Sequence, residues 1–519
     1  MTFLKNRRFP VILFVAFSFL ILIFVALSLA SEPFIKRQIE NLVRKNLGPA
    51  WRVTIEKASV SIIPLSVTLE EIGITAPQNA DSVSKPLNIT VGALKVSGFS
   101  LWDYWFKDQL AIGSIYVAQI NGTMGKIPEI KGTPGKGGKN LQTLKLGRFE
   151  VASVSLRYFN GEQEFHLRDG RGNAKELSYR QVDHSLMLGD LDMELFGVEI
   201  TAKDKLHRFG AERVALNKAR SSLIADSIFM KPLKSVREFA ALDMEKSRIA
   251  LTLHELSAKV DFDAFIQHQK ISVALTVLTN PSLEVFRDKT PPDNPAPIDL
   301  PSEIMRKMKI PLQIDSVAVA GGSIVYHEKP DKSPGYGHIY FQDLNATVTN
   351  ISNVSGSAAI AKASAYLMGA GKLSVEIKYP FGVRQDTFLI DGVVQTMNLA
   401  HINPMIVNAA FARVDEGAIN KLSFRFHANS EIAEGRMDFA YSGMKVTLLK
   451  LDKNGEHLER KTRSLFANMI VSNSNPKKGD FRVGEIKYER KEKKSIFNYW
   501  WKSLFSGIKS SVGIKEKKK

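Results

Sequence analysis

Leu144–Tyr158 reads LKLGRFEVASVSLRY, and Leu312–Tyr326 reads LQIDSVAVAGGSIVY. The two stretches align without a gap. Leu144 meets Leu312, Leu146 meets Ile314, Phe149 meets Val317, Val151 meets Val319, Ser155 meets Ser323, Leu156 meets Ile324 and Tyr158 meets Tyr326. Apolar and polar residues alternate along both, as in a strand with one apolar and one wet face. Each is followed by a returning strand pattern, EFHLRDGRGNAKELS at 164–178 and HIYFQDLNATVTNIS at 338–352. A looser pair, 94–124 and 255–286, runs strand, short aromatic-rich turn, strand. Repetition of this kind predicts strands laid side by side in a meander, in units joined end to end.

Working outward, the same alternation occupies Val53–Glu56, Val60–Ile62, Leu87–Val91, Leu191–Leu195, Ile249–Leu253, Leu373–Ile377 and Phe424–Phe426. The expected fold is therefore mostly β, an elongated, curled antiparallel sheet with few short helices. Ser100–Asp108 is short enough for one or two helical turns. Pro301-Ser302-Glu303 opens a short helix towards Met308, with Ser302 as its cap. A sheet with one apolar face must cover it, and helices are too few here to do so. It can close as a sandwich or curl into a trough whose inner wall stays apolar. Alternation is compatible with both.

Phe9–Ala30, FPVILFVAFSFLILIFVALSLA, carries no charge, and Lys5, Arg7 and Arg8 precede it. A helix of that length crosses a hydrocarbon core of about 30 Å, and the flanking charges keep the N-terminus cytoplasmic. Ser28-Leu29-Ala30 also resembles a signal-peptide cleavage site. In either case the remainder lies outside the cytoplasm. Ser31 can cap a helix over Glu32–Leu47 that Gly48-Pro49 stops; its apolar face is expected to pack on the first strands.

The chain has no cysteine, which removes disulfides, thiolate metal sites and cysteine catalysis. Its formal charge is +18, and residues 477–519 alone hold 14 Lys/Arg against 5 Asp/Glu. A basic tail on an external, membrane-anchored chain suits anionic headgroups better than nucleic acid. Ser495–Gly513, SIFNYWWKSLFSGIKSSVG, has an apolar helical face with lysines off it. Phe497, Trp500, Trp501, Leu504, Phe505 and Ile508 are its membrane-interface candidates; a helix plugging the end of the sheet is the alternative. The ten histidines show no close ligand spacing, Asp183-His184 would point to opposite faces of a strand, and no GxSxG occurs. GKGGK within Lys126–Asn140 fails the phosphate-loop spacing. No catalytic residue, metal ligand or cofactor is expected.

The chain resembles the AsmA-like superfamily, envelope proteins of the AsmA, TamB and YhdP type. The resemblance rests on the anchor, the amphipathic helix ending in Leu47-Gly48, WRVTIEKASVSIIP at 51–64, and the strand–turn–strand 87–124. It rests most on 391–451, where Gly392, Leu399, Asn403-Pro404, Gly417, Leu422, Phe424, Gly435 and Tyr441 match the family's C-terminal pattern. It implies a bacterial inner-membrane protein, single-pass, with its bulk in the periplasm. It further implies a hydrophobic groove and a part in phospholipid transport towards the outer membrane or in outer-membrane homeostasis. Groove candidates are Val53, Ile55, Ile89, Val91, Leu146, Ile314, Val375, Ile377, Phe424 and Phe426. Partners would be the membrane, phospholipid and an envelope protein or second copy. The alternative function is an envelope scaffold or assembly factor with a sealed sandwich core. The expected segments are 1–31 (stub and anchor), 32–286 (N-terminal β region), 287–301 (linker, five prolines), 302–452 (C-terminal β region) and 453–519 (basic tail).

Overall fold

A computed structural model describes residues 36–37, 39–41, 51–62, 65–76, 87–125, 141–159, 162–381, 387–451, 457–459 and 472–514. The protein is mostly β, 61% strand and 14% helix. It forms two compact units, Met1–Ala225 with Phe262–His268, and Asp226–Asp261 with Gln269–Lys519. Phe9–Ala30, most of Glu32–Leu47 and the loop Lys126–Asn140 lie outside the described residues. Among the described residues no helix is long and apolar enough to cross a membrane.

In unit 1, β1 (Arg52–Ile62), β2 (Leu65–Ala76) and β3 (Leu87–Ser97) pair antiparallel in order. Helix α1 (Leu101–Phe106) turns the chain, with the Ser100 hydroxyl accepting from the Asp103 amide. The chain then runs back along β3 in two collinear pieces. β4 (Gln109–Val117) pairs with the end of β3 and β5 (Ile120–Met124) with its start. β6 (Thr143–Val151) and β7 (Val154–Phe159) run parallel to β4 and β5. β8 (Glu164–Arg180) pairs antiparallel with both, followed by β9 (Ser185–Thr201) and β10 (His207–Asn217). The boundary between the units falls inside β11 (Ser222–Pro232).

Unit 2 holds α2 (Val236–Ala240) and repeats the pattern. β12 (Arg248–Val260) is paired antiparallel by two collinear pieces, β13 (Ile271–Thr279) and β14 (Ser282–Asp288). Between β12 and β13 stands α3 (Phe262–His268), which belongs to unit 1. β15 (Leu312–Lys329) runs parallel to β13 and β14, and β16 (Gly337–Ser352) returns antiparallel. Both sequence alignments thus fall on the same pairing pattern. β17 (Ala359–Leu367), β18 (Gly371–Tyr379) and β19 (Phe388–Val394) follow in order. β20 (Met397–Asn398) and β21 (Ala412–Ala428) come next, and β21 pairs with β19, β20 and β22 (Ile432–Leu451). β23 (His457–Glu459) and β24 (Gly484–Glu489) pair with β22. The remaining helices are α4 (Pro301–Lys307), α5 (Asn403–Ala410) and α6 (Ile496–Val512).

Four expectations need correction. The sheet is not a pure antiparallel meander, because β4–β6, β5–β7, β13–β15 and β14–β15 are parallel. A parallel neighbour needs a crossover of a dozen or more residues, and the connections 125–142, between β5 and β6, and 289–311, between β14 and β15, stand at that place in each repeat. The Pro-rich 287–301 is accordingly no boundary: Arg287 and Asp288 end β14, and the rest begins the crossover inside unit 2. The tail is no appendage, since β24 and α6 pack into unit 2. Ser302 is no cap; it is buried in the first turn of α4, whose Glu303 carboxylate accepts from the Leu300 amide at 2.5 Å.

Ion pairs stitch the crossover of unit 2 to the strand leading into α6. Glu245, its side chain 2% exposed, pairs with Arg287 and, at 2.9 Å, with Lys494, which also reaches Asp293. The Ile298 amide donates to the Glu492 carbonyl at 2.8 Å.

Candidate functional site

Register gathers the alternating apolar residues into rows on one face of each unit. In unit 1 one row runs Val53, Ile74, Ile89, Gly122, Leu156, Leu167, Val198, Ala211. A second runs Ile55, Ile72, Val91, Ile120, Val154. Leu146 stands between Ile112 and Leu177. In unit 2 one row runs Val317, Val348, Ala361, Ile377, Ile390, Phe426, Gly435, Ile486. Its neighbour runs Leu278, Val319, Ala346, Ala363, Val375, Gly392, Phe424, Met437. Ile314 faces Val273 and Ile351. All ten groove candidates therefore sit in the apolar rows of their own units.

Two details of these rows escape the alternation pattern. Apolar spacing in β1, β2 and β3 is two residues, then three, then two: Val53, Ile55, Ala58, Val60; Val67, Leu69, Ile72, Ile74; Ile89, Val91, Leu94, Val96. The extra residue is a bulge, marked in β2 by Glu71 at φ 51°. Breaks recur in unit 1 between β4 and β5, between β6 and β7, and at Gly197 (φ 60°). A bulge bends its strand while keeping the apolar side on one face. The three-residue step is the sequence signal for that bend. The second detail is Gly392, where an added Cβ would lie 2.1 Å from Phe424 Cζ; the phenyl ring fills the space a side chain would take.

Burial varies sharply along the rows. Among the described residues, the buried clusters draw on β1–β4 and β6 in unit 1 and on β18–β22, β24 and α6 in unit 2. Ile39, in the helical residues 36–41, joins the β1–β3 cluster, as expected of that helix. β9, β10 and β12–β16 contribute to none of the clusters. Leu278, Val317, Val319, Ile324 and Val348 are only half-buried. Of the candidates, Ile55, Leu146, Phe424 and Phe426 are buried, while Val53, Ile89, Val91, Ile314, Val375 and Ile377 are half-buried. Leu146 also lines a depression of about 580 Å³ under α3, where Lys218 pairs with Asp263 at 3.0 Å.

α6 decides the difference in unit 2. Its contact face is Tyr499, Ser503, Gly507 and Ser511, four residues apart and mostly small, so the helix settles close on β22 and β24. A Cβ on Gly507 would stand 2.7 Å from Ile486 Cγ1. Trp500, Leu504 and Ile508 pack, half-buried, on the same core. Phe497 (68% exposed) and Trp501 (39%) stay outside, and Trp501 stacks on Phe505 at 5.9 Å. Lys502 and Lys509 stand over the Phe505 ring. The apolar arc of the helix is thus wider than the face it buries.

Asp183 caps its own turn by accepting from the Ser185 amide at 3.1 Å and hydroxyl at 2.7 Å, and those bonds hold its carboxyl below its ordinary pKa. His184 takes a hydrogen bond with the Tyr179 hydroxyl at 2.8 Å. That is turn chemistry. Among the described residues no three His, Asp or Glu side chains are grouped to hold a metal. No family model and no curated protein matches this chain.

Proposed function

We propose that the chain is a membrane-anchored envelope protein that holds phospholipid acyl chains against the apolar rows, supporting lipid movement between membranes. The observation that carries the reading is the half-buried state of Leu278, Val317, Val319 and Val348 in unbroken register. Exposed apolar surface costs about 25 cal/mol per Å², so a row of aliphatic side chains is better satisfied by a ligand than by water. Acyl chains need no directed polar group, which agrees with a site free of catalytic geometry. Phe9–Ala30 supplies the anchor, and the resemblance to the AsmA-like superfamily supports the periplasmic placement.

The test is native mass spectrometry and lipid extraction on the full chain purified in a non-lipid detergent. Phospholipid retained by the wild type and lost in Val317→Asp and Val319→Asp is the expected result. A lipid-free wild type overturns the reading. That result would favour the second one, an envelope scaffold, which draws on the sealing of β18–β24 by α6.

A further inference from the structure

The α1 connection has a counterpart in the repeat. Between β12 and β13 the chain also makes a short helix, α3, which lies on β9. α1 does the same topological work with LWDYWF and buries none of its residues. Tyr104 alone packs, half-buried, towards the β3–β6 cluster, while Asp103, whose amide donates to the Ser100 hydroxyl, pairs at the surface with Lys107 at 2.8 Å. The other large residues of α1 point out, with Leu101 43%, Trp102 64%, Trp105 59% and Phe106 70% exposed. An amphipathic helix on a soluble surface has the opposite arrangement. α3 closes the same turn with no tryptophan and with Phe265, 37% exposed, as its one exposed large apolar residue.

Register places a second apolar tip on the same edge of unit 1. Gln109 at the start of β4 pairs with Thr143, and Thr143 pairs with Arg180 at the end of β8. The β8–β9 turn is therefore on the edge that carries α1, at roughly three strand spacings, or about 15 Å. Val182 at that turn is 80% exposed. Separate protruding tips along one edge fit a plane better than they fit a complementary protein surface, which needs a continuous patch of about 800 Å². Trp and Phe beside lysine are the residues of the bilayer interface. Lys107 stands at the base of α1, and Lys145 is close enough to act on Asp103.

The chain's own direction supports the same plane. Lys36 donates to the Glu56 carbonyl, midway along β1. Five residues lie between Ala30, the end of the apolar stretch, and Lys36, so the two are at most about 20 Å apart. Arg52 lies at the opposite end of β1 from this edge, so Lys36, held at Glu56, stands nearer the edge than the start of β1 does.

We infer that the edge of unit 1 carrying α1 and the β8–β9 turn rests in the interface of the bilayer that holds Phe9–Ala30, with Trp102 and Phe106 inserted among the headgroups. The inference builds on the anchor reading above. It sets unit 1 against the membrane surface, so that its rows open next to the lipid they would receive.

The absence of cysteine makes the test clean. Phe106→Cys and, on the opposite edge, Lys203→Cys each give the full chain one thiol for an environment-sensitive fluorophore. Both chains are reconstituted in phosphatidylcholine–phosphatidylglycerol vesicles, with and without a lipid bearing a nitroxide near the headgroup. Interfacial insertion predicts about twofold or greater quenching at position 106 and almost none at 203. An unquenched label at 106 with water-like emission overturns the inference. So does an unquenched label with blue-shifted emission, which would mean burial against a second copy. Carbonate washing separates the two readings. A chain that stays with the vesicles yet shows no quenching sinks this inference alone, whereas a chain that washes off sinks the anchor as well.

Discussion

Within unit 2, β12–β16 and β18–β24 carry the same apolar rows in the same register, and yet they are different materials. In β18–β24 the row passes under α6 and becomes a close-packed core: Phe388, Phe426, Met437 and Ile486 are at most 1% exposed. In β12–β16 the row has smaller aliphatic residues, Val317, Val319 and Val348 among them, and stays half-open. The alternation is alike on both sides. What differs is a helix more than fifty residues further along the chain from β21, with small residues at four-residue intervals. Sealing is therefore a property of the cover, and strand patterning does not encode it.

The largest effect that would break this comparison is expected at Phe426. Phe426→Ala should lower the unfolding free energy by about 4 kcal/mol, measured by urea denaturation, against about 1 kcal/mol for Val317→Ala in the open row. Equal losses would mean that β12–β16 are as closely packed as β18–β24. Next in size, Glu245→Gln leaves Arg287 and Lys494 without their shared carboxylate and should cost about 3 kcal/mol. Its signature is faster amide exchange in the 289–300 crossover and in α6.

Acid should sharpen the contrast in another way. Burial alone would raise the Glu328 carboxyl, but Lys289 at 2.5 Å, the Tyr326 hydroxyl and Arg287 outweigh it and hold it below its ordinary 4.5. Asp288 is likewise held below 3.8 against burial, by Thr290, Lys329 and Tyr336. Both carboxyls release their protons more readily folded than unfolded. Their stabilisation is whole above about pH 4.5 and is lost as the pH falls through the lowered folded values. Amide exchange in β14–β15 should then rise before exchange in β21–β22; the reverse order would assign acid sensitivity to the sealed core. The smallest effect is expected from Phe497→Ser with Trp501→Ser, which should move stability by no more than about 0.5 kcal/mol. Truncating 495–519 removes the cover and should unfold β18–β24, so it is the point variants that report on the exposed stripe.

Much of this was legible in the sequence. The gapless match of 144–158 with 312–326 located equivalent strands in both units, and each alternating segment named above became a strand. The parallel pairings were not legible, because a split return strand and a continuous one have the same alternation. Bulges were visible only as a three-residue step, which reads as noise until neighbouring strands repeat it. The candidate rows came through as residues and not as a surface: Phe424 and Ile314 have the same pattern, and only Phe424 lies in the cluster that α6, α5 and Leu399 join. Trp500, Leu504 and Ile508, which pack on the core, were not separable from Phe497 and Trp501 for a related reason. The apolar arc of α6 spans both a protein-facing and an outward-facing part, and hydrophobicity does not divide them.

The collinear half-strands carry a consequence for how such a chain can change length. A central strand such as β16 is pinned on both sides, and a residue added to it would shift the rows it shares with β15 and β17 by one position and turn its side chains over. The crossover stretch 289–300 carries no ladder of its own. Doubling a loop there costs only about 0.6 kcal/mol in closure entropy. Growth, tags and inserted domains are thus channelled into 289–300, a permissive port in an otherwise rigid grammar.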